Sequence, residues 1–466
     1  MDVPACAGCR ERDARIAVLE RRVAELEALV QDLLAKLNNN SSNSSTPPSA
    51  NPLGAPKPVV KKKSPRQAGG QPGHPPHLKE LLPPERVKDT FEFVPQRCGH
   101  CDAALPERAG WNDPPPTRQQ IIELPPVLAE VTEYQGHART CPRCGEITHA
   151  AIPRELLAHS VGPRLTATLS YFTGCHGVSK RGVEEIAAAV FDAPIALGTV
   201  ANLEQEVSAA LLVPHQEAVA AVQAAEIKHV DETSWKFAGS LCWLWGAATV
   251  GVAAFIIHSK RSTAGLAALL GTKIHGIVCS DRWGVYDQVP ANRRQICWAH
   301  LKRDFQKIVD RGGLSIQVGL QGLKNVKKVF AAWHAFQDGQ FTREQLGEQL
   351  ASVIRRMNRV LIEGLVGDDP KVEAFCANVL ALESALWTFV TVPGVDPTNN
   401  YMERLLRRAV LWRKRSFGCW SQQGCRFVER ILTVVQTRRL QGQNVLDYLH
   451  DALVAHRQGE VCPKLL

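Results

Sequence analysis

The sequence predicts an α/β core with a large all-helical insertion, preceded by a coiled coil, a cysteine-bearing segment and a helical domain. Three observations carry this. First, apolar, β-branched runs from Ile227 to Val230 and from Ile277 to Cys279 read as buried strands, ending at Asp231 and Asp281. Second, Leu241 to Ile257 is apolar or neutral throughout, with Gly246, Gly251 and many β-branched residues, so it reads as two strands with a turn near Thr249 to Gly251. Third, Phe305 to Val390 has amphipathic helical periodicity and no obvious ligand set, as expected of a helical insertion over about residues 305–390.

The strand after Gly251 would lead into a helix over Ser262 to Leu270, then the Asp281 strand and a last strand from Arg294 to Ala299. Three strands, a helix and a fourth strand follow the order of a ribonuclease H-like core, with the two aspartates on neighbouring central strands. Leu241 to Ile257 falls just short of a comfortable membrane span, so no membrane is expected as a partner.

Carboxylates give this core its chemistry. Asp231 in KHVDETSW, Asp281 in GIVCSDRWGVY and Glu403 at the start of a helical stretch, TNNYMERLLR, offer hard oxygen donors to two magnesium ions, with manganese as a substitute. Any one alone reads as a turn residue or a helix N-terminal charge. Together they are the ligand set of a ribonuclease H-like site. Glu232 and Asp304 are nearby carboxylates read as bystanders.

Upstream, Ile16, Leu19, Val23, Leu26, Val30, Leu33 and Leu37 recur at spacings of three and four, predicting a parallel two-stranded coiled coil over residues 10–38. An amphipathic helix packed on its own chain is the alternative. Residues 39–85 change to Asn, Ser, Pro and Gly and carry Lys61, Lys62 and Lys63, as a flexible basic linker that adds phosphate contacts would. Over residues 86–152, Cys98 with Cys101 and Cys141 with Cys144 form two knuckles suited to one tetrahedral structural zinc, and RQQIIELPPVLAEVTEYQGHART supplies strands to join them. Cys6 and Cys9 share the spacing, lack a partner pair and read as free thiols.

Residues 153–224 read as helix, turn, helix, with Ser179 as a first cap. A helix-turn-helix would offer Thr199, Asn202 and Gln205 to a DNA groove; a plain helical hairpin is the alternative, because the second helix is not basic. The core spans residues 225–442, leaving 443–466 as a C-terminal tail. After Glu403, the residues Arg404, Arg407, Arg408, Arg413, Lys414 and Arg415 crowd together without an acid, a pattern suited to gripping phosphates. Trp283, Trp298, Trp412 and Trp420 lie near these motifs; core packing is the default for Trp, stacking on splayed bases the alternative.

The words HVDETSW, SDRWGVYD, CWAHLKRDF, NNYMERLLRRAVLWRKRSFG and ILTVVQTRRLQGQNVLDYL resemble the catalytic core of the insertion sequence sixty-six family of DDE transposases, and the likeness extends upstream through the knuckles and NNNSSNSSTPPS to GGQPGH. It covers nearly the whole chain. Thr398 stands where the family often has Asp, which leaves Glu403 unaffected. The resemblance implies magnesium-dependent cleavage of element ends to free a 3'-hydroxyl, and strand transfer of that hydroxyl into target DNA. It also implies a homo-oligomer, at least a dimer, with accessory proteins from the same element as further partners.

Composition agrees. The 466 residues carry 55 Lys+Arg against 46 Asp+Glu, a net +9 that favours a polyanion. No secretory signal is read in MDVPACAGCRERDAR, so the 14 Cys read as thiols and metal ligands of a cytoplasmic, nucleoid-associated protein. Two other readings stay open: a DNA-binding regulator or assembly partner without catalysis, and a metal-dependent nuclease that cleaves without joining.

Overall fold

The computed structural model describes residues 7–37, 39–40, 43, 80–108, 110, 112–313 and 315–466. Lys61, Lys62 and Lys63, with most of the linker, lie outside them. The chain forms two units, one of Met1–Pro56 with Ala129–Leu466 and the other of Lys57–Leu128.

In the Lys57–Leu128 unit, the described backbone runs extended between local ties. The Gln120 amide brackets one peptide, accepting from Leu82 N–H at 2.7 Å and donating to Leu82 C=O at 3.0 Å. Of the run RQQIIELPPVLAEVTEYQGHART, only its end, Ala138–Thr140, forms a strand among the described residues; Pro125 and Pro126 interrupt the part before it and remove ladder donors.

The larger unit opens with helix α1 (Ala7–Leu37), followed by a two-stranded antiparallel sheet of β1 (Ala138–Thr140) and β2 (Ile147–His149). Five helices come next: α2 (Arg154–Leu157), α3 (Pro163–His176), α4 (Lys180–Phe191), α5 (Leu197–Ala210) and α6 (Leu212–Ala224). Ser179 caps α4 by accepting from Gly182 N–H, as the sequence predicted. The α4 and α5 helices are joined by a short turn. Asn202 is exposed on α5 while Thr199 is half-buried.

The core sheet is built from β3 (Ile227–Phe237), β4 (Ser240–Thr249) and β5 (Val252–His258), then α7 (Thr263–Leu270), β6 (Ile277–Ser280) and β7 (Arg294–Ile296). Its strand order is β5-β4-β3-β6-β7, with β3, β4 and β5 antiparallel and β6 and β7 parallel to β3. The turn between β4 and β5 falls where Gly251 predicted it. Two boundaries differ from expectation. Asp231 lies inside β3, whose ladder to β4 continues to Phe237, and β7 stops at Ile296 because Trp298 already begins a helix.

The insertion consists of α8 (Trp298–Arg311), α9 (Ile316–Gln337), α10 (Arg343–Leu365), α11 (Pro370–Ala381), α12 (Glu383–Leu386) and α13 (Thr388–Thr391), and it has its own apolar core around Trp298, Phe305, Trp333 and Phe389. The chain returns to the sheet in α14 (Asn400–Ser416), α15 (Gln422–Leu440) and α16 (Val445–Gln458). Residues 443–466 are thus not a loose tail. Val445, Leu449, Ala452 and Leu453 form a stripe at helical spacing that α16 buries in the core shared with α3, α5 and α15.

Alternation along the strands assigns two faces. Leu244, Ala248, Ala253 and Phe255 pack against Met402, Leu406 and Ala409 of α14, whereas Val230, Trp245, Ala247 and Ala254 pack toward α7 and α15. No helix among the described residues is long and apolar enough to cross a membrane.

Candidate active site

Asp231 pairs with Gly246 across the ladder, so the two share a face, and Gly246 looks directly onto Met402 of α14. Asp231 therefore points to the side from which Glu403 approaches. Its neighbour Glu232 must take the opposite face, where its carboxylate accepts from Tyr286 O–H at 2.7 Å and from Arg261 Nε and Nη2 at 2.9 and 2.6 Å. Glu232 is a tied structural acid.

Asp281 follows β6 in step with Asp231, because the parallel pairs run from Ile227 with Ile277 to His229 with Cys279. One Asp281 carboxylate oxygen accepts from Trp283 N–H at 3.0 Å, and its own carbonyl accepts from Ser280 O–H at 2.9 Å and from buried Arg294 at 3.3 Å. Asp304 pairs with Arg282 at 2.7 Å.

Glu403 occupies the first turn of α14, where the helix dipole favours a carboxylate. Asn399 fixes that turn. This buried residue donates its backbone N–H to Cys297 Sγ at 3.1 Å and its amide to Val230 C=O at 2.8 Å, and its carbonyl accepts from Glu403 N–H at 3.2 Å. One residue thus spans the position before Asp231, the start of α8 and the Glu403 helix.

The carboxylates feel one another. Burial holds the Asp231 carboxyl well above the usual range, and Glu232, Asp281 and Glu403 push it the same way. Facing them from α8 are two groups that sequence reasoning missed: His300 Nδ1 lies 3.6 Å and Arg303 Nη2 3.7 Å from Glu403 Oε1. Burial, then the Arg303 charge, lowers the His300 pKa, while Glu403, Asp281 and Asp304 oppose that shift. Glu403 Oε1 and His300 Nδ1 are both buried without a hydrogen-bond partner. Among the described residues, Cys297, His300 and Glu403 are a group whose ligand atoms lie within 4.8 Å of one another. The available signal was spacing by three in CWAHLKR, which puts Cys297, His300 and Arg303 on one helix face.

Comparison with known proteins identifies the family. Residues 159–426, more than half of the chain, match the Transposase IS66 family. The chain belongs to the IS66 transposase family. Residues 3–80 match a family of unknown function (DUF6444), so the region that holds α1 has its own relatives. The uncharacterized protein y4qI of Sinorhizobium fredii (strain NBRC 101917 / NGR234) is 25% identical over 167 residues, which are 35% of this chain and 31% of that protein. The chain thus matches about a third of the length of this curated relative.

In this member of the IS66 family the basic residues after Glu403 divide into groups. Arg404 and Arg407 are exposed, Arg404 lying over the Tyr401 ring at 5.9 Å. Arg408 and Arg415 are exposed too, and donate to the Cys175 and His176 carbonyls at 3.1 and 3.0 Å. Arg413 is drawn inward to the Ser234 carbonyl and hydroxyl, and Lys414 is exposed. The tryptophans divide as well. Trp298 is buried against Trp387, Trp412 packs on Trp235 and Phe427, and Trp283 lies under the Arg261 guanidinium at 4.0 Å; Trp420 is exposed.

Each cysteine knuckle is a closed local turn. In the Lys57–Leu128 unit, Asp102 N–H donates to Cys98 C=O at 3.0 Å and Cys98 N–H to Ala103 C=O at 2.9 Å. In the larger unit, Gly145 N–H donates to Cys141 C=O at 2.9 Å and Cys141 N–H to Glu146 C=O at 2.8 Å. Backbone N–H groups from Cys101 and His100 lower the Cys98 pKa, and those of Arg143 and Cys144 lower that of Cys141.

Proposed function

We propose that this protein is a DDE transposase that cleaves the ends of its insertion sequence and joins them to target DNA, with Asp231, Asp281 and Glu403 as its magnesium ligands. The observation that carries this reading is the convergence of three carboxylates, two in step on adjacent parallel strands and one on a helix packed over the same face. Antiparallel β3, β4 and β5 with parallel β6 and β7 are compatible with a ribonuclease H-like core.

The residues fit a divalent ion. Three carboxyl groups, Asp231, Asp281 and Glu403, close enough for the latter two to disfavour ionisation of the first, and an unpartnered Glu403 oxygen are what a dication would neutralise. When bound, two magnesium or manganese ions would activate the attacking oxygen and stabilise the leaving one. Asp231 and Asp281 hold position from the sheet, Glu403 closes from α14, and Arg303 places a fixed positive charge beside Glu403. Exposed Arg404, Arg407 and Arg408 on α14, with the Lys61, Lys62 and Lys63 arm, supply phosphate contacts that need no sequence reading. On α5, Asn202 and Thr199 are the groove-facing candidates.

Asp231→Asn, Asp281→Asn and Glu403→Gln should each reduce cleavage and strand transfer to background while preserving folding and DNA binding. The assay is purified protein with magnesium and its own element ends. Cleavage without any joined product would favour a nuclease, and binding without cleavage a regulator. Cys98, Cys101, Cys141 and Cys144 are proposed from their matching chemistry to hold one structural zinc per chain. Metal analysis should find that zinc absent from the Cys98→Ser, Cys141→Ser double variant, and unchanged content would place the ligands elsewhere.

A further inference from the structure

The loop between α14 and α15 is unlike the rest of the catalytic surface. Phe417 and Trp420 are 72% and 76% exposed there, two large aromatic side chains standing in solvent and separated by only Gly418 and Cys419. Phe417 caps α14 with φ +58°, a left-handed conformation that a bulky side chain seldom adopts. Strain of this kind persists where the surroundings enforce it, and it gathers at functional positions.

The enforcement is visible. Cys419 between the two aromatics donates to Lys236 C=O at 2.8 Å and accepts from Ala238 N–H at 2.8 Å, which welds the loop to the end of β3. Trp235 Nε1–H also donates to Cys419 Sγ at 3.4 Å. Gly418, at φ +102°, sits so close to this edge that a Cβ would lie 2.2 Å from Lys236 O. Ser421 then caps α15 by accepting from Gly424 N–H. The aromatics are thus presented on a rigid mount, although burying them in the adjacent core would have removed apolar surface from water.

Charge identifies the occupant. No Asp or Glu occurs between Glu403 and Glu429, while Arg404, Arg407, Arg408, Arg413, Lys414, Arg415 and Arg426 do. The acids that reach this loop, Glu204 and Glu429, are buried and paired with Lys180 and Arg426, so the exposed charge beside the aromatics is cationic. Exposed aromatics among cations suit nucleic acid, whose phosphates meet the cations and whose base faces meet the rings. We propose that Phe417 and Trp420 form a stacking surface for an unpaired base of the DNA engaged by the active site. This rests on the transposase reading above.

Two rulers place the contact. From Glu403 to Phe417 the helix advances about 21 Å at roughly 1.5 Å per residue. From Asp231 to Phe237 the strand advances about 20 Å at roughly 3.3 Å per residue. On a duplex running straight between the carboxylates and the loop, either distance corresponds to about six base pairs, at roughly 3.4 Å per pair.

The test uses the full chain and two duplexes of the element end, one fully paired and one with a short mismatch bubble centred about six base pairs from the cleavage site, with 2-aminopurine in the bubble. Wild type should bind the bubbled duplex about tenfold more tightly and quench the 2-aminopurine by stacking. In Trp420→Ala and in Phe417→Asn, which suits a left-handed position, the two affinities should draw together and the quench should fall. Trp420→Phe should restore both. Undiminished quench and preference in Trp420→Ala, or neither in wild type, would overturn the proposal. Magnesium-dependent cleavage is scored in parallel: bubble preference without any cleavage sinks the transposase reading and leaves the stacking surface standing.

Discussion

Asp231 and Glu232 show how one position along a strand decides a residue's fate. Alternation sends Asp231 toward α14 and the other carboxylates, and sends Glu232 into the grip of Tyr286 and Arg261. In the metal-free protein, burial and then the surrounding acids raise the Asp231 pKa. The folded state therefore keeps a proton that the unfolded chain loses above about pH 3.9. Stability falls as pH rises from that value toward the folded pKa, and the penalty is fully present above it. Asp231→Asn removes the penalty, so the metal-free variant should melt higher than metal-free wild type at neutral pH, with the gap closing at acid pH. Magnesium should then raise the melting temperature of wild type far more than that of the variant. Thermal scans at several pH values check this, and a variant that melts lower at neutral pH without metal would refute it.

At the scale of elements, the sequence made the strands, their turn and the Glu403 helix legible, because β-branched runs, Gly251 and helical spacing are local signals. His300, Arg303 and Asn399 were not legible as site residues. The spacing by three in CWAHLKR puts His300 and Arg303 on one helix face, but what that face meets is set only once α8 and α14 dock beside β3, a long-range event. The strands expected over residues 118–140 form only at Ala138–Thr140, and the loss of the rest has a local reason, since two prolines outweigh the β-branched residues around them. The approach of α14 to the sheet depends on Gly246, where a Cβ would lie 2.3 Å from Met402 Cε and 3.0 Å from Phe255 Cε1. Met402 can swing away from one methyl, so Gly246→Ala should be mild. Gly246→Val should cost about 1–3 kcal/mol by overpacking. It should also lower cleavage beyond what that destabilisation explains, because Glu403 follows Met402 on the same helix turn. Denaturant titration alongside a magnesium titration of activity separates the effects, and a stable, fully active Val variant would show that α14 is not held at this distance by Gly246.

For the whole molecule, the proposed function would have DNA grip and self-association call on different residues. Along α1 the heptad positions Ile16, Leu19, Val23, Leu26, Val30, Leu33 and Leu37 are exposed within one chain, an apolar stripe that a second copy would cover. The exposed arginines of α14 offer charge without an apolar seam. Replacing Arg407 and Arg408 by Ala should weaken binding to every DNA sequence alike and flatten the salt dependence by about 0.9 log unit for each phosphate left without its cation. Replacing Leu19 and Leu26 by Gln should instead lower the assembly state seen by analytical ultracentrifugation, with the per-protomer salt slope unchanged. Affinity measured against salt for both pairs of variants distinguishes the two roles. An unchanged slope in the arginine variant would return those side chains to ordinary solvated surface, and an unchanged assembly state in the leucine variant would mean that protomers meet through some other face.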